Sequence, residues 1–279
     1  RAGSVREGLE WLGRPPEARA GRLYRLLLAL ARFVCRHLFR FRIEIEREAP
    51  LPAGGYLVVA AAHRGWMDPF LVLFALPVEP RPWFLGSGPS TLTSPLRAAL
   101  VRRIGGLLPV WRGGIGIEQH VAAARAVLAA RGVFVQMPEG TVNGPVGRIA
   151  AFRHGAALIA LRIQAPIVPV AMAGTEELYL GKRMAARVLA PTTVAELLGP
   201  AWPGASPPPG SRNELDLARR LTVALEERLG PVVAELHPRT VDPPGRRRWF
   251  RRRLTWLFLG PGPLVHEVPE DGAEAMRGE

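Results

Sequence analysis

The sequence predicts an α/β fold, a mixed, mostly parallel sheet flanked by helices, with an amphipathic helix ahead of it. From about Gly55 onward, short apolar runs alternate with stretches of helical pattern, the rhythm of strands covered by helices. The chain has 279 residues, 48% hydrophobic and 22% charged, which is enough for one large domain with an ample core or two small ones. Ahead of the alternating region, residues 21–42 carry an amphipathic helical pattern.

At about 100° per residue, Arg22, Arg25, Arg32, Arg36 and Arg40 of that first element fall on one narrow arc. Leu23, Leu26, Leu27, Leu30, Phe33, Val34 and Leu38 take most of the remaining circumference. A wide apolar face edged by arginine suits a helix lying in a membrane interface. The same pattern also describes a core-facing helix with a solvated basic edge. Strands are then expected at 56–62, 83–86, 107–111, 133–136 and 167–171, with another around 186–190. Helices are expected at 69–75, 96–103, 117–131 and 153–162. Residues 199–210 are dense in proline and glycine and form a connection. Ser211 then caps a helix, with Glu214 three residues on as in a capping box, and that helix is expected to run to about Leu229.

Past Pro238 the chain changes character. Six arginines flank Trp249 and Phe250 between Arg246 and Arg253, and the apolar run 254–259 follows. Arginine beside tryptophan suits an interfacial anchor, and a tail packed on the domain is the alternative.

The charge is lopsided, with 37 basic residues against 24 acidic and a formal net charge of +13. Lys182 is the only lysine, so the basicity is almost all arginine, whose planar fork grips phosphate. Such a field implies an anionic partner, a lipid surface or nucleic acid. Cys35 is the only cysteine, which excludes an intrachain disulfide and a cysteine-based metal site. No signal-peptide pattern is evident. No run approaches the ~18 apolar residues of a spanning helix, so the protein is expected to lie on a membrane rather than cross it.

Two short segments carry the chemistry. In Ala62-His63-Arg64-Gly65-Trp66-Met67-Asp68-Pro69, a potential base and a potential orienting carboxylate follow directly on a strand. Histidine suits the removal of a proton from a hydroxyl near neutral pH. A carboxylate that holds its second N–H also stabilises the imidazolium as it forms. Asp68 before Pro69 reads equally as an N-cap and first-turn pair, and a carboxylate has lone pairs for both tasks. The second segment, Pro138-Glu139-Gly140-Thr141, follows the strand at 133–136. Together they indicate transfer of an acyl group onto a hydroxyl.

These motifs and their spacing resemble the lysophosphatidic acid acyltransferase family of glycerolipid acyltransferases over about residues 55–180. The family's first motif, NHxSxxD, is matched at His63 and Asp68, while Ala62 and Gly65 replace its Asn and Ser. Its second motif, a strand ending in arginine, is similar to Gly106 through Arg112. The third, FPEGTRS, stands as Met137-Pro138-Glu139-Gly140-Thr141-Val142-Asn143, and Phe152-Arg153-His154-Gly155-Ala156 resembles a segment that follows it. The fourth, a V-P-V strand, is Ile167-Val168-Pro169-Val170.

The resemblance implies a glycerolipid acyltransferase-like fold, with His63 as general base and Asp68 as its partner. Arg112 would bind the acceptor's phosphate, and Glu139, Gly140 and Thr141 would hold the acceptor. Val142 stands where the family has arginine, so Arg148 or Arg153 would substitute as phosphate ligand, or the acceptor carries another head group. The partners implied are a lysophospholipid acceptor, acyl-CoA or acyl-ACP (acyl carrier protein) as co-substrate, and an anionic membrane surface on the cytoplasmic face. No cofactor and no metal are expected. The chain then divides into a membrane-associating segment (1–48), an acyltransferase domain (49–237) and a basic, aromatic tail (238–279). Glycerol-3-phosphate or another lyso-lipid is the alternative acceptor. A non-catalytic module binding nucleic acid or anionic membranes is the rival from another class, although nucleic-acid signatures are missing and no nucleic-acid partner is expected.

Overall fold

The structure, a computed structural model, describes residues 13–87, 95–110, 117–140, 142 and 144–241. Among them, seven strands form one sheet: β1 (Arg42–Arg47), β2 (Tyr56–Ala61), β3 (Pro82–Ser87), β4 (Leu107–Val110), β5 (Val133–Gln136), β6 (Ile167–Ala173) and β7 (Arg183–Val188). Their order across the sheet is β1-β7-β6-β2-β5-β3-β4. Every neighbouring pair is parallel except β6 with β7. The helices are α1 (Arg22–Phe33), continued by a π-turn over Val34–Leu38, then α2 (Asp68–Ala75), α3 (Pro95–Ile104), α4 (Ile117–Ala129), α5 (Gly155–Ile163), α6 (Val194–Leu198) and α7 (Arg212–Thr240). The mixed, mostly parallel sheet flanked by helices is thus the fold the sequence predicts.

β2 runs through the middle of the sheet and is buried along its whole length. Because strand side chains alternate, it feeds two cores. Tyr56, Val58 and Ala60 pack with Met67, Leu71 and Val72 at α2. Leu57, Val59 and Ala61 face the layer built from α4, α5 and α7. The parallel register pairs Ala61 with Ala171 of β6 and Val59 with Gln136 of β5. The carboxyl ends of these three strands therefore share one edge of the sheet, the edge where open α/β sheets bind ligands.

Several elements depart from the sequence-based expectation. The first helix does not reach residue 42: the π-turn ends at Leu38, and Arg42 opens a strand. Arg42-Ile43-Glu44-Ile45-Glu46-Arg47 alternates with period two, and it pairs with β7 over its length. The expected domain start at residue 49 thus falls after the first strand of the sheet. β7 begins at Arg183 rather than Ala186. The helix α6, which was not expected, has a capping box in which Thr193 and Glu196 satisfy each other's backbone N–H groups.

α7 runs to Thr240, well beyond Leu229, with Pro231 and Pro238 inside it. Proline in a helix interior costs about 3 kcal/mol. The apolar stripe Leu225, Leu229, Val233, Leu236 remains buried on either side of Pro231. Each such side chain contributes roughly 1.5–3 kcal/mol, so packing outweighs the lost hydrogen bond. The tail motifs at 246–259 lie outside the described residues.

α1 divides its apolar residues between two faces. Tyr24, Leu28 and Cys35 are buried. On the opposite side Leu26 is 65% exposed, Phe33 60% and Leu38 64%, with Leu23 and Leu30 beside them. No helix among the described residues is long and apolar enough to cross a membrane.

The buried stripe of α7 yields one expectation. Leu229→Ala should destabilise the fold by about 2–5 kcal/mol, read as a lower urea midpoint, because Leu229 is fully buried against the sheet. An unchanged midpoint would mean that α7 past Ala218 contributes little to the core.

Candidate active site

β2 ends at Ala61, and the chain turns through His63, Arg64 and Gly65 into α2. Asp68 is the first residue of that helix, and Met67 is its N-cap. This corrects the expectation of Asp68 as N-cap, since its carboxylate reaches back over the turn instead of capping forward. Oδ2 of Asp68 accepts from the Arg64 N–H at 2.5 Å and the Gly65 N–H at 2.7 Å. The same oxygen lies 2.7 Å from Nδ1 of His63. An ionised carboxylate is acceptor-only, so Nδ1 carries the hydrogen and the lone pair of the neutral ring falls on Nε2. The Asp68 side chain is 0% exposed and that of His63 is 19% exposed. The acid is sealed, while one edge of the base reaches solvent.

Glu139, three residues past β5, converges on the same turn from the next strand. One of its oxygens accepts from the His63 backbone N–H, and the other accepts from the Ala150 N–H at 2.8 Å. Its side chain is fully buried and lies 3.6 Å from the Arg64 guanidinium. Burial raises its pKa, and the Arg64 charge and the two backbone N–H groups oppose that rise. This corrects a second expectation. The Glu139 carboxylate points back into the protein and holds the backbone of His63, so neither oxygen is directed at an acceptor.

Arg64 was not anticipated. Its guanidinium donates to the carbonyls of His63 (3.1 Å), Pro145 (3.1 Å) and Arg148, while facing Glu139. A Cβ at Gly144 would run into this group, so only glycine lets the loop approach so closely. The loop 144–150 is thereby clamped to the His63 turn from both sides, through Arg64 and through Glu139. The available signal was a charged residue beside the histidine of a buried turn; its partners lie 81 and 84 residues away in the chain and leave no local mark.

Among the other expected residues, Gly140 has φ 67°, a left-handed conformation that suits glycine. A Cβ there would lie 3.0 Å from Cδ and Nε of Arg153, so the Arg153 side chain crosses directly over Gly140. Arg153 and Arg148 are both exposed. Arg112 and Thr141 lie outside the described residues. Among the described residues, no group of His, Cys, Asp and Glu is disposed to hold a metal ion.

The clamp can be tested apart from any activity. Arg64→Ala should cost about 3–5 kcal/mol, because it strands a buried carboxylate. Arg64→Lys should fall between that variant and the unaltered protein, since an ammonium cannot span the same carbonyls. Urea denaturation decides it, and equal stability of all three proteins would contradict the clamp.

The acyltransferase family model matches residues 42–173, from β1 to the end of β6. No curated protein matches the chain. Among solved structures, it is similar to the 1-acyl-sn-glycerophosphate (LPA) acyltransferase PlsC from Thermotoga maritima, at 21% identity and a TM-score of 0.46, over 69% of this chain and 72% of that one. The segment that carries His63, Asp68 and Glu139, with the strands that hold them, is thus similar to the acyltransferase family.

Proposed function

We propose that the protein transfers a fatty acyl group from a coenzyme A or acyl carrier protein thioester to the free hydroxyl of lysophosphatidic acid, making phosphatidic acid at the surface of an anionic membrane. The observation that carries this reading is the His63 ring with one edge open to solvent and Nδ1 held by the sealed Asp68 carboxylate. Nε2 of His63 takes the proton from the acceptor hydroxyl as its oxygen attacks the thioester carbonyl carbon. The carbon–sulfur bond then breaks, and the imidazolium returns the proton to the thiolate. Asp68 stabilises the imidazolium between these steps. The acceptor supplies its own hydroxyl, so no enzyme nucleophile is needed.

Arg153 lies over Gly140 beside this turn and is the first candidate for the acceptor's phosphate, since arginine binds phosphate through parallel hydrogen bonds. Arg148, on the clamped loop, is the second. Arg112 and Thr141 retain the roles the family resemblance gives them, as phosphate ligand and acceptor contact. Membrane association is supported by the exposed apolar side of α1 and by the net charge of +13, a combination suited to interfacial binding. Val142, standing where the family has arginine, favours one second reading: the same chemistry on glycerol-3-phosphate or a lyso-lipid with another head group.

Lipid mass spectrometry of the protein mixed with lysophosphatidic acid and acyl-CoA, or acyl-ACP, tests the reading. Phosphatidic acid should form, and His63→Ala should slow it by about 10²–10⁴-fold. Full transfer by His63→Ala would overturn the mechanism. With competing acceptors present, preference for another lyso-lipid would replace lysophosphatidic acid as substrate and leave the chemistry standing.

A further inference from the structure

The arginine stripe of α1 does not simply face solvent. Where the π-turn passes into β1, the chain folds over the end of α2 and leaves a groove of ≈ 600 Å³. Arg32, Arg36, Arg40 and Arg42 line it together with Phe74, and Glu44 is its one carboxylate. Arg32 is fixed in place: its guanidinium donates to the Leu73 carbonyl at 3.3 Å and lies 5.6 Å from the centre of the Phe74 ring. Arg36, Arg40 and Arg42 are exposed and make no ion pair among the described residues. By contrast, Arg187 and Arg239 share Glu46 and Glu235. Arg40 has φ 55°, a conformation that glycine adopts without strain, so backbone geometry does not select for arginine there.

We infer that this groove is a binding site for the phosphate head group of an anionic phospholipid in the bilayer. The occupant follows from what surrounds the groove. Guanidinium forks match phosphate oxygens, and one carboxylate cannot neutralise four arginines. The exposed apolar side of α1, Leu26, Leu30 and Phe33, belongs to the same helix, and Ile45 on the groove's own wall is exposed as well. A lipid whose phosphate sits among the arginines can therefore place its acyl chains alongside side chains that are themselves suited to hydrocarbon. A free phosphate would use the forks and leave that apolar surface without a role.

The site is separate from the catalytic turn. Phe74 lies near the C-terminal end of α2 and Asp68 at its start, a helix about 12 Å long. The lipid held in the groove is thus a bystander that orients the protein, not the acyl acceptor. This inference rests on the proposed function only in taking the protein to work at a membrane.

Vesicle flotation of the full chain tests it, with neutral phosphatidylcholine vesicles and with vesicles that also contain phosphatidylglycerol. Each arginine near an anionic surface strengthens binding by about five-fold. Arg36→Gln/Arg40→Gln/Arg42→Gln should accordingly weaken binding to anionic vesicles by about a hundredfold and leave the weak binding to neutral ones unchanged. A control, Arg212→Gln/Arg219→Gln/Arg220→Gln, removes the same charge from an exposed stretch of α7 and should lose much less. Equal losses in the two variants would reduce the effect to net charge and overturn the site. Unaltered anionic binding in the groove variant would also overturn it, leaving the groove to another occupant such as the chain's own C-terminal segment. Matching circular dichroism spectra guard against misfolding, and Arg36→Lys/Arg40→Lys/Arg42→Lys, which keeps the charge without the forks, should bind at an intermediate level. Acyl transfer between water-soluble short-chain substrates should be the same in the groove variant and the unaltered protein. Failure of that transfer in both would sink the proposed function while leaving the vesicle result to stand on its own.

Discussion

Oδ2 of Asp68 accepts from three directions at once, from the His63 imidazole and from the backbone N–H groups of Arg64 and Gly65. The charge is sealed from solvent, and those donors replace the water lost at Oδ2. Because two of the three belong to the backbone of the turn, the carboxylate fixes the path of the chain and the orientation of the ring together. Every other feature of the site is arranged around that turn. β2 delivers it at the sheet edge, α2 supplies the acid one helical turn later, and Glu139 pins the His63 N–H from the neighbouring strand's side.

Glu139 and Arg64 extend the arrangement outward. Removing either leaves a buried charge, and both are tied to the loop 144–150. That loop carries Arg148 and leads directly into Arg153. The two arginines proposed to meet an acceptor's phosphate are thus mechanically linked to the backbone of the proposed base. The His63 turn and the loop 144–150, held by one buried ion pair, keep a near-fixed geometry, which is what the proposed proton transfer to His63 requires.

The fold was legible wherever apolar runs were long enough to leave a pattern. The strand at 133–136 agrees residue for residue, and the central strands and most helices agree within one to three residues. β1 was hidden by charge: Ile43 and Ile45 do alternate with polar neighbours, but they follow an arginine-rich helix and were left in the membrane-associating segment 1–48. α7 was cut short because Gly230 and Pro231 look like a stop, and only the sheet beneath shows why the helix continues. At the site, His63 and Asp68 were legible since they are close in sequence and need only a turn. The direction of the Glu139 carboxylate was not, because a motif gives spacing and not which way a side chain faces. The Arg64 contacts were invisible for the same reason, being made across the chain.

The account depends on the Asp68 carboxylate holding His63 as the Nδ1–H tautomer with Nε2 open to the acceptor. Nitrogen-15 NMR of the histidine side chains reads this directly in the neutral ring. The account predicts a protonated Nδ1 with a strongly downfield-shifted proton, an unprotonated Nε2, and loss of that shifted proton in Asp68→Asn. A neutral His63 protonated on Nε2, or a spectrum indifferent to Asp68, would contradict it.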